Sequence, residues 1–516
     1  MTDAVLGMTV AEIAREIPGN TAIVGSGDVR VTGVHHDSRR VTAGDLFVVR
    51  KGQTSDGARF VDAAKERGAS ALLVARAHAS DVTSDLPRIV VDDIADGLAF
   101  SAAAVYGHPA FGMDVTGITG TNGKTTTSYL LRAAIDGAIG EPRAGIIGTV
   151  GHVFGNEVLD ASHTTPEADE LARVMARMKQ KGATHIAMEV SSIALTLGRV
   201  RAVRFRVAAF SNLTQDHLDF HGSMQSYGEA KKVLFTELGP SVSVVNVDDP
   251  FGDEIAGAAH GIVMRVSAKG RKDADVAVLS HDMSITGLHA KVRTPSGTFD
   301  LASPLTGAHN IDNLALVLGC VQALDLDVER AIGALRNETG APGRLQRCDQ
   351  DGDPAAVFVD YAHTPDALAR VLEAIRASCT GRVLCVFGCG GDRDSGKRDP
   401  MGFEAASRSD VAVVTNDNPR TEDPSDIARA VVVGVQRAGK SLVSAEEIRS
   451  GKNGAIVVLD RAQAIDLSIR SAGPGDVVLI AGKGHEPYQI VGKEKRHFDD
   501  REEAQRVLAS LRAERA

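Results

Sequence analysis

A glycine-rich turn followed by Lys-Thr forms a candidate phosphate cradle. An apolar strand at 115–119 runs into this turn, and a helix-like run follows it. Glycines let successive backbone N–H groups face an anion, and the helix N-terminus adds a favourable dipole. Lys124 can reach terminal phosphates and Thr125 can hold Mg²⁺. The spacing is a variant, since Gly117 leaves five residues before Gly123 and Gly120 leaves two. The predicted nucleotide-binding residues of this loop are Gly120, Thr121, Asn122, Gly123, Lys124, Thr125 and Thr126.

A strand-end acid downstream offers a second part of a nucleotide site. The apolar run 185–190 carries Glu189 next to its end. In phosphate-loop enzymes, an acidic residue at the tip of a neighbouring strand helps to hold Mg²⁺. Taken alone, such a carboxylate is more typical of a solvated strand end. The glycine-rich turn upstream favours the metal role for Glu189.

Three further features have ordinary structural explanations when they are taken alone. Residues 212–219 place two carboxylates and His217 in one short turn, which is typical of a capped helix start. Lys231 lies on a helical stretch, where a lone lysine is normally a solvated surface charge. Thr165 before Pro166 predicts a helix cap, and a substrate contact there is the less favoured alternative.

The C-terminal third of the chain alternates apolar strands with polar loops. Ligands in open α/β sheets bind beyond the carboxyl ends of the strands. We therefore expect the loops that follow these strands to share one edge of a sheet. The strand candidates are 357–359, 383–387, 411–414 and 477–480.

The side chains on these loops carry both signs of charge. Arg393 and Arg420 offer planar forks for a carboxylate, and Glu486 offers a partner for an ammonium group. This combination suits a zwitterionic amino acid. A dinucleotide site is a weak alternative, because Arg393 stands where the final glycine of a fingerprint beginning at Gly388 would be required.

Composition excludes several classes of protein. Lys and Arg number 57 against 67 Asp and Glu, and the resulting net charge of −10 argues against a general nucleic-acid binder. The five cysteines are odd in number and scattered, which suits reduced thiols. Residues 1–15 are polar and mixed, and no run is long and apolar enough to span a bilayer. We expect a cytoplasmic protein that binds neither nucleic acid nor membranes.

The length of 516 residues is too great for one hydrophobic core. Breaks at 109–112 and 340–343 predict three α/β domains. The central one is a phosphate-loop-type nucleotide domain with a mainly parallel sheet, and the third is Rossmann-like. The predicted domains are a smaller N-terminal one at 1–109, a central one at 110–342 and a C-terminal one at 343–516.

Several motifs, taken in order along the chain, resemble the Mur ligase family. They are Gly-Thr-Asn-Gly-Lys-Thr-Thr at 120–126, Glu-Val-Ser-Ser at 189–192, Asp-His-Leu-Asp at 216–219 and Asp-Tyr-Ala-His-Thr-Pro at 360–365. The chain departs from the usual family pattern at Ile193, Leu197 and Asp399. The resemblance implies a three-domain ligase in which the first domain binds a UDP-linked substrate, the second binds ATP and the third binds an amino acid.

The resemblance also implies roles for individual residues. Lys124, Glu189, His217 and Lys231 would be catalytic, with Lys231 carbamylated. Two Mg²⁺ ions would be held by Thr125, Glu189, His217 and the Lys231 carbamate. Further ATP contacts would come from Asn310, Asn313, Asp360 and His363. The UDP-linked substrate would contact Ser38, Gln53, Thr54, Ser55, Thr164, Thr165, Ser191 and Arg199. The amino acid would contact Arg393, Asp417, Asn418, Pro419, Arg420, Gly482 and Glu486.

The blocks Asp-Ser-Arg at 37–39 and Asp-Asn-Pro-Arg at 417–420 narrow the implied reaction. By resemblance, ATP drives addition of meso-diaminopimelate to the D-glutamate γ-carboxylate of UDP-MurNAc-L-Ala-D-Glu, through an acyl phosphate, in peptidoglycan precursor synthesis. A monomer is expected. The alternatives are the same ligation with L-lysine and a folylpolyglutamate-type ligation. A nucleotide-switched module that hydrolyses ATP without ligation is a further alternative.

Overall fold

The structure is a computed structural model that describes residues 7–51 and 56–515. It divides into two compact units. The first comprises the chain up to Leu279 together with Val292–Phe299 and Asp312–Ala334. The second comprises Ser280–Lys291, Asp300–Ile311 and Leu335–Ala516.

The N-terminal part of the first unit is a small α/β layer. Its main sheet has the order β2-β7-β6-β5-β4, with β4 to β7 parallel and β2 antiparallel to β7. The strands are β1 Met8–Thr9, β2 Ala22–Val24, β3 Arg30–Val31, β4 Gly33–His35, β5 Asp45–Val49, β6 Ala71–Ala75 and β7 Arg88–Val91. The helices are α1 Val10–Glu16, α2 Val61–Glu66 and α3 Ile94–Val105.

The central part of the chain contributes a long, mainly parallel sheet with the order β11-β10-β9-β12-β8-β13-β14-β15-β16-β17-β18. The neighbours from β9 through β12, β8, β13 and β14 to β15 are all parallel. The strands are β8 Asp114–Thr119, β9 Ala144–Gly148, β10 Gly151–Phe154, β11 Glu157–Leu159, β12 His185–Glu189, β13 Val207–Phe210, β14 Val242–Asn246, β15 Ile262–Ser267, β16 Val276–Ser284, β17 Gly287–Thr294 and β18 Gly297–Ser303.

Helices alternate with the parallel strands of this sheet. Strand β8 pairs with β12 and β13 along its two edges, and its residues after Asp114 are buried on both faces, so its apolar residues contribute to the core. The helices are α4 Lys124–Ile139, α5 Ala168–Gln180, α6 Ser192–Thr196, α7 Leu218–His221, α8 Met224–Thr236, α9 Pro250–Ala258, α10 His309–Ala323 and α11 Val328–Leu335.

The C-terminal part has its own sheet, with the order β19-β20-β24-β21-β22-β23. The strands from β20 to β23 are parallel neighbours, so the carboxyl ends of the four predicted strands meet at one edge, as expected. The strands are β19 Gln346–Arg347, β20 Ala356–Asp360, β21 Val383–Phe387, β22 Val411–Val414, β23 Gly454–Val457, β24 Val477–Ala481, β25 Tyr488–Val491 and β26 Glu494–His497. The helices are α12 Pro365–Arg376, α13 Arg398–Arg408, α14 Pro424–Arg437, α15 Ala445–Arg449, α16 Arg461–Ser471 and α17 Asp500–Arg515.

The predicted linkers have different local structures. Pro109–Gly112 is a short 3₁₀ helix that begins with a proline, so it is more ordered than a plain linker. Residues 340–343 lie outside the helices and strands. The domain boundaries at 109/110 and 342/343 stay predictions.

All five cysteines are free thiols, and Cys379 alone among them is partly accessible. Burial raises the pKa of Cys320, Cys348 and Cys389 to about 12 and raises that of Cys385 still further. Along the described ranges, no helix has the length and apolar character needed to cross a membrane.

Candidate nucleotide, peptide and amino-acid sites

The glycine-rich turn joins β8 to α4 in a conformation that only glycine adopts easily. Gly120 has φ 147° and Gly123 has φ 88°. A Cβ at Gly120 would collide with Ser211 Oγ, and one at Gly123 would collide with Asn313 Oδ1. The helix begins at Lys124, earlier than the sequence indicated, so its first N–H groups face the turn.

The Lys124 side chain folds back over the turn. Its Nζ donates to the carbonyl oxygens of Gly120 at 2.8 Å and Thr121 at 2.9 Å. The Thr121 hydroxyl lies 3.2 Å from Tyr227 Oη. The amine is thus held at the opening of the turn, where a phosphate would lie.

Glu189 ends β12 directly beside the start of α4. Its carboxylate is 1% exposed and accepts a hydrogen bond of 2.9 Å from the Thr125 hydroxyl. The backbone N–H of Thr149 donates to Glu189 Oε1 at 2.8 Å. The Thr149 hydroxyl lies 3.1 Å from both Glu189 Oε2 and Thr164 Oγ1. Thr149 therefore connects the predicted metal carboxylate to a predicted substrate residue.

Sequence reasoning missed Thr149. It directly follows β9, and β9 pairs with β12 in parallel, so Thr149 and Glu189 lie at the same end of adjacent strands. The strand order, which the linear sequence does not give, is the signal that would have found it.

Lys231 lies inside the first unit, so the local expectation of a solvated charge is wrong. Its side chain is 1% exposed, and its Nζ donates to the Gly120 carbonyl at 2.9 Å and lies 4.3 Å from the centre of the Tyr227 ring. Burial, with a contribution from the nearby Lys124 charge, holds the pKa of Lys231 well below its usual value of 10.5. This amine is therefore disposed to be neutral.

His217 is the residue just before the short helix α7 and has a left-handed conformation, with φ 51° and no side-chain capping bond, so the expectation of a capped start is wrong. Its side chain is 44% exposed and lies edge-on to Tyr227, with ring centres 6.1 Å apart. Within residues 7–51 and 56–515, no three His, Cys, Asp or Glu side chains converge as a ready metal site. Thr125 and a modified Lys231 offer oxygen ligands of other kinds.

The two predicted nucleotide asparagines are both buried. In the first unit, Asn313 Oδ1 accepts from the Thr127 hydroxyl at 3.3 Å and lies against Gly123. In the second unit, Asn310 Nδ2 donates to the Thr306 carbonyl at 2.7 Å.

Thr165 does not cap a helix, contrary to the sequence expectation. Helix α5 begins at Ala168, and its N-cap Glu167 makes no capping bond through its side chain. The Thr165 hydroxyl instead donates to the Glu189 carbonyl at 2.9 Å and accepts from the Ser191 N–H at 3.0 Å. Thr165 thus joins two predicted site segments.

Arg199 is oriented by a buried carboxylate. Its Nη2 lies 2.6 Å from Glu167 Oε1, and its Nη1 donates to the Thr165 carbonyl at 3.0 Å. Arg50 pairs with the other oxygen of Glu167 at 2.7 Å. Although burial raises the pKa of Glu167, the two arginines outweigh it and hold the pKa below its usual value. Sequence reasoning missed Glu167 and Arg50 as site residues.

The N-terminal end of the predicted UDP-substrate site is only partly described. Ser38 begins a 3₁₀ helix, Ser38–Arg40, which Asp37 caps by accepting from the Arg39 N–H at 3.0 Å. The other predicted contacts in this region, Gln53, Thr54 and Ser55, lie outside the described residues.

In the second unit, the loops after β22 and β24 meet through a buried cation. Lys483 donates to Asn418 Oδ1 at 3.1 Å and to the Tyr488 carbonyl at 2.7 Å, and its Nζ lies 3.3 Å from Asp417 Oδ1. Asn418 Nδ2 donates to Glu486 at 3.4 Å. Burial, reinforced by the Asp417 charge, raises the pKa of Glu486.

The predicted arginines lie at the same edge of the sheet. Arg420 has φ 51° and donates from Nη1 to the Gly391 carbonyl at 2.7 Å, and the same guanidinium lies beside Gly390. Arg393 also lies beside Gly390, and it is exposed. Pro419 lies between Asn418 and Arg420, and Gly482 directly follows β24 with φ 121°.

In the second unit, Asp360 is the last residue of β20 and His363 lies in the loop that follows. The Asp360 carboxylate accepts backbone N–H groups from Leu345 at 2.6 Å and Ala362 at 2.8 Å, so it fixes the local loops. Burial raises its pKa. The Nδ1 atom of His363 lies 2.8 Å from the Tyr361 carbonyl. Thr364, directly before Pro365, caps α12 by accepting from the Ala367 N–H.

Three family models match the chain in succession. They describe the Mur ligase family catalytic domain at residues 30–106, the Mur ligase middle domain at 118–321, and the Mur ligase glutamate ligase domain at 343–484. Together they span most of the chain, and the middle-domain match includes the glycine-rich turn, Glu189 and Lys231.

Relatives and solved structures agree with these matches. A protein from Geobacter metallireducens named UDP-N-acetylmuramoyl-L-alanyl-D-glutamate--2,6-diaminopimelate ligase is 41% identical, over 98% of this chain and 99% of its own. A solved structure with the same name matches with TM-score 0.71 and 30% identity, over 98% and 100% of the two chains. A MurF ligase from Thermotoga maritima, solved with ADP, shares the fold at TM-score 0.59 and 19% identity, over 94% and 99% of the two chains. The chain belongs to the Mur ligase family.

Proposed function

We propose that this chain is an ATP-dependent ligase that joins meso-diaminopimelate to the D-glutamate γ-carboxylate of UDP-MurNAc-L-Ala-D-Glu. The observation that carries the proposal is the 41% identity, over nearly the full length of both chains, to a relative named for that ligation. The phosphate turn with buried Lys231 and Glu189 supports the ATP-dependent step. The loops around Asp417 and Glu486, with charges of both signs, support an amino-acid substrate.

The proposed chemistry overcomes the poor electrophilicity of a carboxylate. The γ-carboxylate oxygen attacks the terminal phosphorus of ATP, giving an acyl phosphate and ADP. The amine of the amino acid then attacks the acyl carbon, the C–O bond to phosphate breaks, and an amide forms with release of inorganic phosphate and a proton. In this scheme the residues position the reactants and neutralise charge, with Lys124 facing the phosphates.

The first unit offers oxygen ligands that fit Mg²⁺. The Thr125 hydroxyl and the buried Glu189 carboxylate lie 2.9 Å apart beside the phosphate turn, and Mg²⁺ prefers such hard oxygen ligands. In our proposal Thr125, Glu189, His217 and a carbamate on Lys231 would hold two ions. When bound, Mg²⁺ would offset negative charge on ATP and the acceptor carboxylate.

The buried position of Lys231 supports the carbamate. A neutral lysine amine adds to the carbon of CO₂ and loses a proton, giving a carboxylate on the side chain. Because burial holds the pKa of Lys231 well below its usual value, a larger fraction of its amine is neutral at pH 7 than for an exposed lysine.

The remaining site assignments belong to the same proposal. We assign Asn310, Asn313, Asp360 and His363 to ATP, and the segments around Ser38, Thr164, Ser191 and Arg199 to the UDP-linked peptide. The paired loops 417–420 and 482–486, with Arg393, are assigned to diaminopimelate. The proposal also includes a monomeric state, a cytoplasmic location and the domain ranges 1–109, 110–342 and 343–516.

Product analysis with a panel of acceptors tests the proposed function. Purified protein receives UDP-MurNAc-L-Ala-D-Glu, ATP and, in separate reactions, meso-diaminopimelate, L-lysine or L-glutamate, and the products are weighed by mass spectrometry. We expect ligation with meso-diaminopimelate only, together with transfer of ¹⁸O from the acceptor carboxylate into inorganic phosphate. Ligation of L-lysine alone, or phosphate release without an acceptor, would contradict the proposal.

A further inference from the structure

The most completely buried ion pair of the second unit lies beneath the proposed amino-acid site. Arg461 and Asp500 both have 0% side-chain exposure, and they form two parallel hydrogen bonds of 2.7 Å. Arg461 is the first residue of α16 and Asp500 the first of α17. A buried pair of this kind is a poor source of net stability, because desolvation opposes the attraction between the charges. Its remaining hydrogen bonds therefore suggest another role.

Those remaining bonds connect two strand ends. Arg461 Nη1 donates to the Asn416 carbonyl at 3.2 Å, and Nη2 donates to the Ala481 carbonyl at 3.0 Å. Asn416 directly precedes the 417–420 loop, and Ala481 directly precedes the 482–486 loop. One planar guanidinium thus joins the starting points of the two loops proposed to hold the amino acid.

The sheet connects these loops only through an intervening strand. Strands β22 and β24 both pair with β21 and lie on opposite sides of it, so no backbone ladder joins them. The Lys483 contact to Asn418 crosses the gap through the loops' own side chains, and Arg420 exchanges backbone hydrogen bonds with Ile490 and Gly492, just beyond loop 482–486. Arg461, by contrast, is held by Asp500 and donates to the backbone carbonyls of Asn416 and Ala481, where the two loops begin.

We propose that Arg461, held by Asp500, is a positioning residue that sets the spacing between loops 417–420 and 482–486 and so determines affinity for the amino-acid substrate. This inference rests on the proposed diaminopimelate site. Misplacement of a binding group by about 1 Å is enough to cost on the order of 100-fold in rate. Because both loops belong to the proposed amino-acid site, the positioning role predicts an effect on that substrate only.

Arg461→Lys tests the role, because lysine keeps the charge but lacks the fork needed to reach Asp500 and both carbonyls. The matched control is Arg382→Lys. Arg382 also forms two hydrogen bonds with a carboxylate, that of Asp476. Arg382 directly precedes β21 and Asp476 directly precedes β24, so this pair lies at the opposite edge of the same sheet. Steady-state kinetics would give KM for meso-diaminopimelate, ATP and the UDP-linked peptide, and thermal unfolding would give Tm for both variants.

We expect both variants to lower Tm, and Arg461→Lys alone to raise KM for meso-diaminopimelate by about tenfold or more, with little change in KM for ATP. The double variant Arg461→Gln/Asp500→Asn, which leaves no unpaired buried charge, should behave in the same way. An equal rise with Arg382→Lys, an unchanged KM with Arg461→Lys, or failure of both Arg461 variants to fold would overturn the inference. If wild-type protein ligated no diaminopimelate, the proposed function itself would be wrong, which is a separate result.

Discussion

Lys124 is the residue on which the nucleotide chemistry depends most directly. Its amine already faces the opening of the phosphate turn through the Gly120 and Thr121 carbonyls. We expect Lys124→Ala to reduce kcat by on the order of 100-fold or more, because a charge aimed at the phosphates is lost. Coupled detection of ADP measures this, with thermal unfolding as the check on folding. Near-normal turnover would remove Lys124 from the reaction.

Lys231 and its neighbour Lys232 form a natural pair of test and control. Lys231 is buried beside the turn, whereas Lys232 pairs with Glu229 and Glu254. We expect Lys231→Ala to abolish ligation and Lys232→Ala to retain it. If Lys231 carries a carbamate, activity should rise with added bicarbonate and fall in acid, where carbamates lose CO₂. Activity that does not respond to bicarbonate, together with an active Lys231→Ala protein, would contradict the modification.

Arg420 should act on one substrate. Its guanidinium lies at the edge shared by the proposed amino-acid loops and is held by the Gly391 carbonyl. Arg420→Ala should mainly raise KM for diaminopimelate, by on the order of tenfold, since a charge-assisted hydrogen bond is lost. Initial rates at varied diaminopimelate concentration measure this, and an unchanged KM would exclude Arg420 from the site.

Local sequence is a good guide to some residues and a poor guide to others. Thr364 before Pro365 caps α12, as the local pattern favours, because this cap depends only on the residues next to it. Thr165 has a similar sequence context, yet its hydroxyl bonds to Glu189 and Ser191, which are distant in the chain. Lys231 is buried for the same non-local reason. Family resemblance supplied a role for Lys231 that its neighbours in sequence did not indicate.

At the scale of elements, the parallel strands were the most predictable feature. Their apolar runs end where polar loops begin, so the strands at 383–387 and 411–414 have the predicted bounds. Strand order was not predictable, and it decides which loops meet. The Thr149 contact with Glu189 and the Arg461 bridge both follow from that order.

Strand β4 and helix α5 are joined by a titratable contact. His36, just after β4, places Nδ1 2.9 Å from Asp169 of α5. Burial lowers the pKa of His36, but the hydrogen bond and charge of Asp169 outweigh it and raise the pKa above 6.5. Burial likewise raises the pKa of Asp169, but His36 holds it below 3.8.

The sign of the pH dependence follows from these directions. The His36 contribution is present below pH 6.5 and is lost as pH rises through the raised pKa, and the Asp169 contribution is lost below pH 3.8. The difference in Tm between wild type and His36→Ala should therefore be greatest between pH 3.8 and pH 6.5 and smaller above the raised pKa of His36. His78→Ala, which removes an exposed pair with Asp81, is the control. A difference that keeps growing as pH rises above 6.5 would contradict the contact.

At the scale of the whole molecule, the chain is a Mur ligase that uses ATP, and its net charge of −10 favours mutual repulsion between copies. We expect light scattering coupled to size-exclusion chromatography to give the molar mass of a single chain at low and high protein concentration. A mass that doubles as concentration rises would show that the monomer prediction is wrong.

The two compact units do not follow the chain in a simple order. The break at 340–343 lies close to Leu335, where the last segment of the second unit begins. The same unit also includes Ser280–Lys291 and Asp300–Ile311, which interrupt the first unit along the chain. No change in composition marks the points where the chain passes from one unit to the other, because these points follow from long-range packing. As a result, the neighbouring asparagines 310 and 313 belong to different units.

The burial of the thiols gives each unit an internal reporter of its own opening. Cys320 lies in the first unit, Cys385 and Cys389 lie in the second, and all three are inaccessible in the folded chain. An alkylating reagent would modify Cys379 early and these three only when their unit opens. Peptide mapping after timed alkylation would then compare the opening rates of the two units in one unlabelled, unmutated sample.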